Sequence, residues 1–137
     1  MVDPESIEDR LDRLTELLEE LARIEAAGHD AYTADFRSRL AAQHAIQVAI
    51  QVCIDIGAHL IAESGPKMPS DYRGVFAALI EAGLDAELAE RLGDAAGMRN
   101  ILVHGYLDVD DEAVWGAIAH LDDLRQFAAF AQQQLSR

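Results

Sequence analysis

One cysteine, three prolines, one lysine and one asparagine are all that this 137-residue chain holds of those types. With Cys53 alone, no intrachain disulfide can form and a metal site built on several thiolates is excluded. Its apolar neighbours Val52 and Ile54 predict a packed, inert thiol. Basic residues are scarce as well: 11 Lys and Arg stand against 25 Asp and Glu, a formal charge of −14. Such a surface repels phosphate over a Debye length of about 8 Å, which excludes broad non-specific nucleic-acid binding. Only a local arginine cluster could act on an RNA, and no DNA partner is expected. The most apolar stretch, residues 45–62, is interrupted by Gln47, Gln51, Asp55 and His59, so no membrane partner is expected either. The acidic start Met1-Val2-Asp3-Pro4-Glu5 lacks the apolar region of a secretory signal, which makes the cytoplasm the expected compartment. Glu-x-x-His pairs for a di-metal bundle are missing, Gly93 to Gly97 lacks a phosphate-loop pattern, and no Ser or Cys sits in a nucleophile motif. Neither a metal nor a cofactor is expected.

Half of the residues are apolar, enough for one core but not for two. We therefore read residues 1–137 as a single domain. β-branched runs are few, and helical spacing dominates. Ile7, Leu11, Leu14, Leu18, Leu21 and Ile24 recur at three- and four-residue steps, an amphipathic helix opened near Pro4 and Ser6 and ended by Gly28. A second helix starts near Thr33 or Asp35 and runs to about Glu63, before Ser64-Gly65-Pro66. Apolar residues cover most of its circumference, which predicts burial on more than one side. Its exception is a polar stripe, His44, Gln47, Gln51, Asp55 and His59, which suits either a solvent face or a wet interface or groove. Asp55 and His59 form an i,i+4 pair on it, a candidate support for such a groove.

Ser70 is the expected N-cap of a short third helix with Tyr72, Val75, Phe76 and Leu79 inward and Gly83 at its end. Asp85 caps a fourth, with Leu88, Leu92, Ala95, Met98 and Leu102 facing the core. Asp108 to Asp111 start a last helix whose stripe is Val114, Ile118, Leu121, Leu124, Ala128, Ala131 and Leu135. The fold class is thus all-α: an antiparallel helical bundle of four longer helices and one short one.

One stretch carries chemistry: Arg99-Asn100-Ile101-Leu102-Val103-His104-Gly105-Tyr106. Asn100 and His104 share a helix face one turn apart, and Arg99 can curl toward the helix end. Gly105 permits a left-handed ending that would free Tyr106 from the helical path. Cleaving RNA without metal requires a base for the 2′-hydroxyl, a cation for the phosphorane and an acid for the leaving oxygen. An imidazole such as His104, with an ordinary pKa near ~6.5, can move protons at neutral pH. Arg99 can clamp the phosphate. Asn100 can orient the imidazole or bond the substrate. One histidine cannot be base and acid at the same moment, so a two-fold homodimer would complete the set. Equally, Arg99 and His104 could serve only to satisfy the carbonyls and dipole at a helix end.

The Arg-x4-His-x-Tyr spacing of Arg99, His104 and Tyr106, with Asn100 after the arginine, resembles the signature of HEPN domains in the branch of the HepT toxin family. The likeness covers nearly the whole chain and implies an HEPN-like bundle with the motif ending the penultimate helix. It further implies a homodimeric endoribonuclease toxin with Arg99 and His104 catalytic, paired with a minimal nucleotidyltransferase antitoxin that transfers AMP onto Tyr106. The alternative is a non-catalytic HEPN subunit that presents nucleotide or substrate to such a transferase.

Overall fold

A computed structural model describes residues 4–64 and 68–136. Pro4–Ala27 forms α1, and every residue of its predicted stripe is buried. Gly28 ends it at φ +95°, a backbone conformation that side chains disfavour. The next segment departs from expectation. His29–Ala34 makes a separate one-turn helix, α2, held by a single buried aromatic, Tyr32. Asp35 then turns extended, and its carboxylate accepts from the Arg37 N–H and the Ser38 hydroxyl to open α3.

α3, Phe36–Ser64, is roughly 44 Å long at 1.5 Å per residue. By length and composition it is the one described helix that could cross a membrane. Here it is the central strut: α1, α2, α4, α5, α6 and α7 all pack on it. Ala42, Ala45, Ile46, Ala49, Ile50, Cys53, Ile54, Ile56 and Ile61 are buried on several sides, as its all-round hydrophobicity predicts. The stop expected at Ser64-Gly65-Pro66 falls largely outside the described residues.

α4, Tyr72–Ala78, is capped by Asp71 rather than Ser70: the Asp71 carboxylate accepts from the Gly74 N–H at 2.7 Å. The geometry of a cap decides this, because the side chain must reach the amide three residues on. Val75, Phe76 and Leu79 are buried, but Tyr72 is not the core residue its spacing predicts; it stays 36% exposed. A 3₁₀ turn, Leu79–Ala82, leads to Gly83 at φ +110°. Asp85 caps α5, Ala86–His104, through the Leu88 N–H at 2.9 Å, as expected.

A second 3₁₀ turn, Tyr106–Asp108, comes next. The expected single last helix is two: α6, Asp111–Ile118, capped by Asp110, and α7, Leu121–Leu135. Between them Ala119 and His120 close with i→i+3 bonds to Gly116 and Ala117, one tightened turn that resets the axis. Val114, Ile118, Leu121 and Leu124 remain buried across the break, so apolar periodicity carries no sign of it. The break also re-phases the rest of the chain: Phe127 and Phe130 enter the core, while Ala128 and Leu135 sit only partly in it. The result is a helical bundle in which α1, α5 and α6–α7 surround α3, with α2 and α4 as short outriggers.

Candidate active site

The C-terminal end of α5 projects the motif away from the core. Leu102 is buried and anchors the last turn, whereas Asn100, Ile101, His104, Tyr106 and Leu107 are exposed. Tyr106 is 70% exposed, Leu107 85% and Ile101 60%, so three large apolar groups face outward at this one helix end. Gly105 closes the helix without a left-handed residue, contrary to expectation: its φ is −101°, and its N–H donates to the Ile101 carbonyl at 2.7 Å. Glycine still fits there for a steric reason, since a Cβ would lie 2.9 Å from that carbonyl oxygen. Tyr106 leaves the helical path through the 3₁₀ turn instead.

Arg99 lies half-buried on a different side of the helix. Its Nη1 donates to Asn100 Oδ1 at 2.9 Å, and its Cζ sits 5.5 Å from the Tyr72 ring centroid. Nε is buried with no hydrogen-bond partner. Asn100 thus holds the guanidinium through its oxygen, not the imidazole. His104 makes no hydrogen bond or ion pair among the described residues, so within one chain the guanidinium and imidazole are not joined.

The charge state around Arg99 sets it apart from its neighbours. Arg73 is bound to Asp94 at 2.6 Å and Arg91 to Asp123 at 3.0 Å, and Arg39 lies 3.4 Å from Asp111. Each of those cations is neutralised by a carboxylate. Arg99 has none among the described residues, a state it shares with the exposed Arg13, Arg37 and Arg125, from which it differs in being half-buried; its charge is open to an outside anion.

On α3, the polar stripe is mostly half-buried: Gln47, Gln51, Asp55 and His59 are partly covered and His44 is exposed. The pair that forms is Gln51 with Asp55, at 2.8 Å, rather than Asp55 with His59. Gln51 Oε1 is buried without a partner. Elsewhere, Ile46, Ile50, Met98, Ala117 and Leu124 line a cavity of about 470 Å³ between α3, α5, α6 and α7, and none of Arg99, Asn100, His104 or Tyr106 reaches it. That hollow and the motif are separate features. No group of three or more His, Cys, Asp or Glu side chains is arranged for a metal among the described residues.

The ribonuclease HepT-like family model matches residues 7–131. The chain belongs to that family. A tRNA nuclease HepT of Aphanizomenon flos-aquae is 32% identical to this HepT-like protein over 136 residues, covering 96% of it and 89% of the relative. An mRNA nuclease HepT of Shewanella oneidensis is 31% identical over 84 residues, 60% of this chain and 63% of that one. Among solved structures, a tri-AMPylated HEPN toxin of Shewanella oneidensis in complex with an MNT antitoxin superposes with a TM-score of 0.83 at 24% identity, over 97% and 99% of the two chains. That likeness places the HepT-like chain in the all-helical HEPN fold. Tyr72 is the neighbour of Arg99 that sequence reasoning missed, because its spacing in α4 reads as an ordinary core position.

Proposed function

We propose that this HepT-like ribonuclease is the toxin of a toxin–antitoxin pair, a homodimeric, metal-independent endoribonuclease. Its RNA cleft contains Arg99, Asn100 and His104, and a minimal nucleotidyltransferase antitoxin silences it by adenylylating Tyr106. The observation that carries the reading is that Arg99, half-buried and without a carboxylate partner, and the solvent-exposed His104 both lie in the last two turns of one helix. In a molecule of charge −14, a phosphate finds free cations only where such a group has been left without a carboxylate.

The chemistry is set by those groups. One His104 imidazole takes the proton of an RNA 2′-hydroxyl, whose oxygen attacks the adjacent phosphorus. Charge building on the phosphorane oxygens is met by Arg99. The bond from phosphorus to the 5′-oxygen breaks, and the His104 imidazolium of the second protomer delivers a proton to that oxygen. The products are a 2′,3′-cyclic phosphate and a 5′-hydroxyl. Two-fold pairing supplies both imidazoles and doubles the local positive charge. The exposed apolar groups Ile101, Tyr106 and Leu107 beside the motif are surface that such pairing can cover. Asp55 and His59, half-buried on α3, are proposed to support the groove wall.

The exposed Tyr106 phenol is open to a transferase. Attack of its oxygen on the α-phosphorus of ATP releases pyrophosphate, the phenolic proton passes to solvent, and a bulky anion is left on the exposed ring at the mouth of the proposed cleft.

Purified dimer in EDTA should cleave RNA, and Arg99→Ala and His104→Ala should each lower cleavage by about 10²-fold or more while retaining the helical circular-dichroism spectrum. Wild-type protein that cuts no faster than His104→Ala would instead favour the non-catalytic HEPN subunit.

A further inference from the structure

We propose that Tyr72 is a positioning residue for Arg99: its ring, presented from α4, stacks on the guanidinium and fixes the plane in which it meets phosphate. This rests on the reading of Arg99 as the phosphate-binding group. The Cζ-to-centroid distance of 5.5 Å is within the ~6 Å range of cation–π attraction.

Three features make the ring a fixed platform. Asp71 caps the first turn of α4, and Val75 and Phe76 bury the next. Arg73, adjacent to Tyr72, crosses onto α5 and bonds Asp94 at 2.6 Å. It passes over Gly93, where a Cβ would lie 2.7 Å from its Nη1, so the residue on α5 is matched to the crossing. The backbone of Tyr72 is therefore tied to the helix that carries Arg99.

Core packing accounts for only part of the ring. Tyr32 is 1% exposed and spends its hydroxyl on a core hydrogen bond; Tyr72 is 36% exposed and its hydroxyl has no partner among the described residues. What the Tyr72 ring contacts of functional consequence is the guanidinium. An arginine has long, freely rotating stems, and here a single bond to Asn100 is its only other tether among the described residues. Nε is buried without a partner, so the seat is partly dehydrated, a setting in which the negative face of an aromatic ring counts for more.

Since only the ring face is used, Tyr72→Phe should cleave RNA like wild type. Tyr72→Leu should lower kcat by roughly 3- to 30-fold with a smaller change in KM. In the Arg99→Ala background, Tyr72→Leu should have no further effect, because the two act as one unit. The Arg99 Hδ resonances should be ring-current shifted in wild type and Tyr72→Phe and lose that shift in Tyr72→Leu. Wild-type kcat in Tyr72→Leu overturns the inference, as does a full additional loss in the Arg99→Ala background or an unshifted Hδ pair. Absence of Arg99-dependent cleavage in wild type overturns the nuclease reading and this role with it, a result distinct from cleavage that ignores Tyr72.

Discussion

The Tyr32 hydroxyl donates to the main-chain carbonyl of Asp111 across 2.7 Å, pinning the one-turn α2 to the first turn of α6. Around this bond, Gln43 donates to the Asp111 carboxylate at 3.0 Å, His29 reaches Glu112 at 2.8 Å, and the Tyr32 ring tilts against Trp115 at 5.0 Å. The clasp closes the end of the chain segment that begins at Tyr106. Burial first, and then the nearby Asp111 and Glu112 carboxylates, push the Tyr32 phenol up to about 12, with Arg39 opposing.

That shift fixes the sign of a pH effect. The folded state holds the phenolic proton more tightly than the unfolded chain, so the stabilisation is complete below the ordinary tyrosine value near 10. It is lost as pH rises from there toward about 12. Thermal melts from pH 9 to 12 should show Tm falling through this window, and Tyr32→Phe should flatten the fall. At neutral pH the same variant should cost about 1 kcal/mol, the net contribution of one hydrogen bond, with the Asp111 carbonyl left to find water.

Removing the guanidinium or the imidazole should affect rate without affecting fold. Arg99→Ala should lower kcat by about 10²- to 10³-fold, as loss of one charge stabiliser does. His104→Ala should lower it by about 10²- to 10⁴-fold. His104 is exposed and Arg99 half-buried at the edge of the bundle, so urea midpoints should hold for His104→Ala and fall only slightly for Arg99→Ala. A matching fall in stability would assign them to structure instead.

Tyr106→Phe separates cutting from silencing. The exposed ring remains while the acceptor oxygen is gone, so the variant should resist adenylylation and arrest growth even with the antitoxin co-expressed. Intact mass is the readout: added AMP on wild type, and the unmodified mass for Tyr106→Phe.

Gly57 is a point of close helix approach. A Cβ there would lie 2.8 Å from Val75 Cγ1 and 3.3 Å from Leu79 Cδ1. Gly57→Ala should therefore push α4 off α3 and cost about 1–3 kcal/mol, a fall in Tm of roughly 3–9 °C by calorimetry. Because α4 carries Tyr72, cleavage should weaken in the same variant.

Cys53 should not react in the native state. It is fully buried, and burial pushes its thiol well above the ordinary range, so thiolate is negligible at neutral pH. Alkylation by iodoacetamide should proceed only as fast as the protein unfolds.

Much of the fold was legible where side-chain spacing and caps act locally. The Asp85 cap and the Gly83 stop arise from contacts within a few residues of each other, and the stripe of α1 and the all-round apolarity of α3 are local spacing patterns that burial against other helices then follows. The failures share a cause. α2 has too few residues to show a period and exists through Tyr32 reaching Asp111, far along the chain. The break at Ala119–His120 keeps Val114, Ile118, Leu121 and Leu124 buried on either side and so leaves no trace in their spacing, although it re-phases the residues beyond. Tyr72 sits at a core spacing, yet the bundle places it at the margin, over Arg99.

The sequence by itself determined the residue types at the end of α5 and their order, because helical geometry puts positions 99, 100 and 104 within one or two turns of each other. Only the tertiary structure decided that Arg99 stays without a carboxylate while Arg73 and Arg91 do not. An arginine's charge is cancelled or left free by carboxylates that other helices bring within about 4 Å, and Arg73 and Arg91 acquire such partners while Arg99 acquires an aromatic face. Coulombic pairing depends on distance in space, which one-dimensional spacing does not encode.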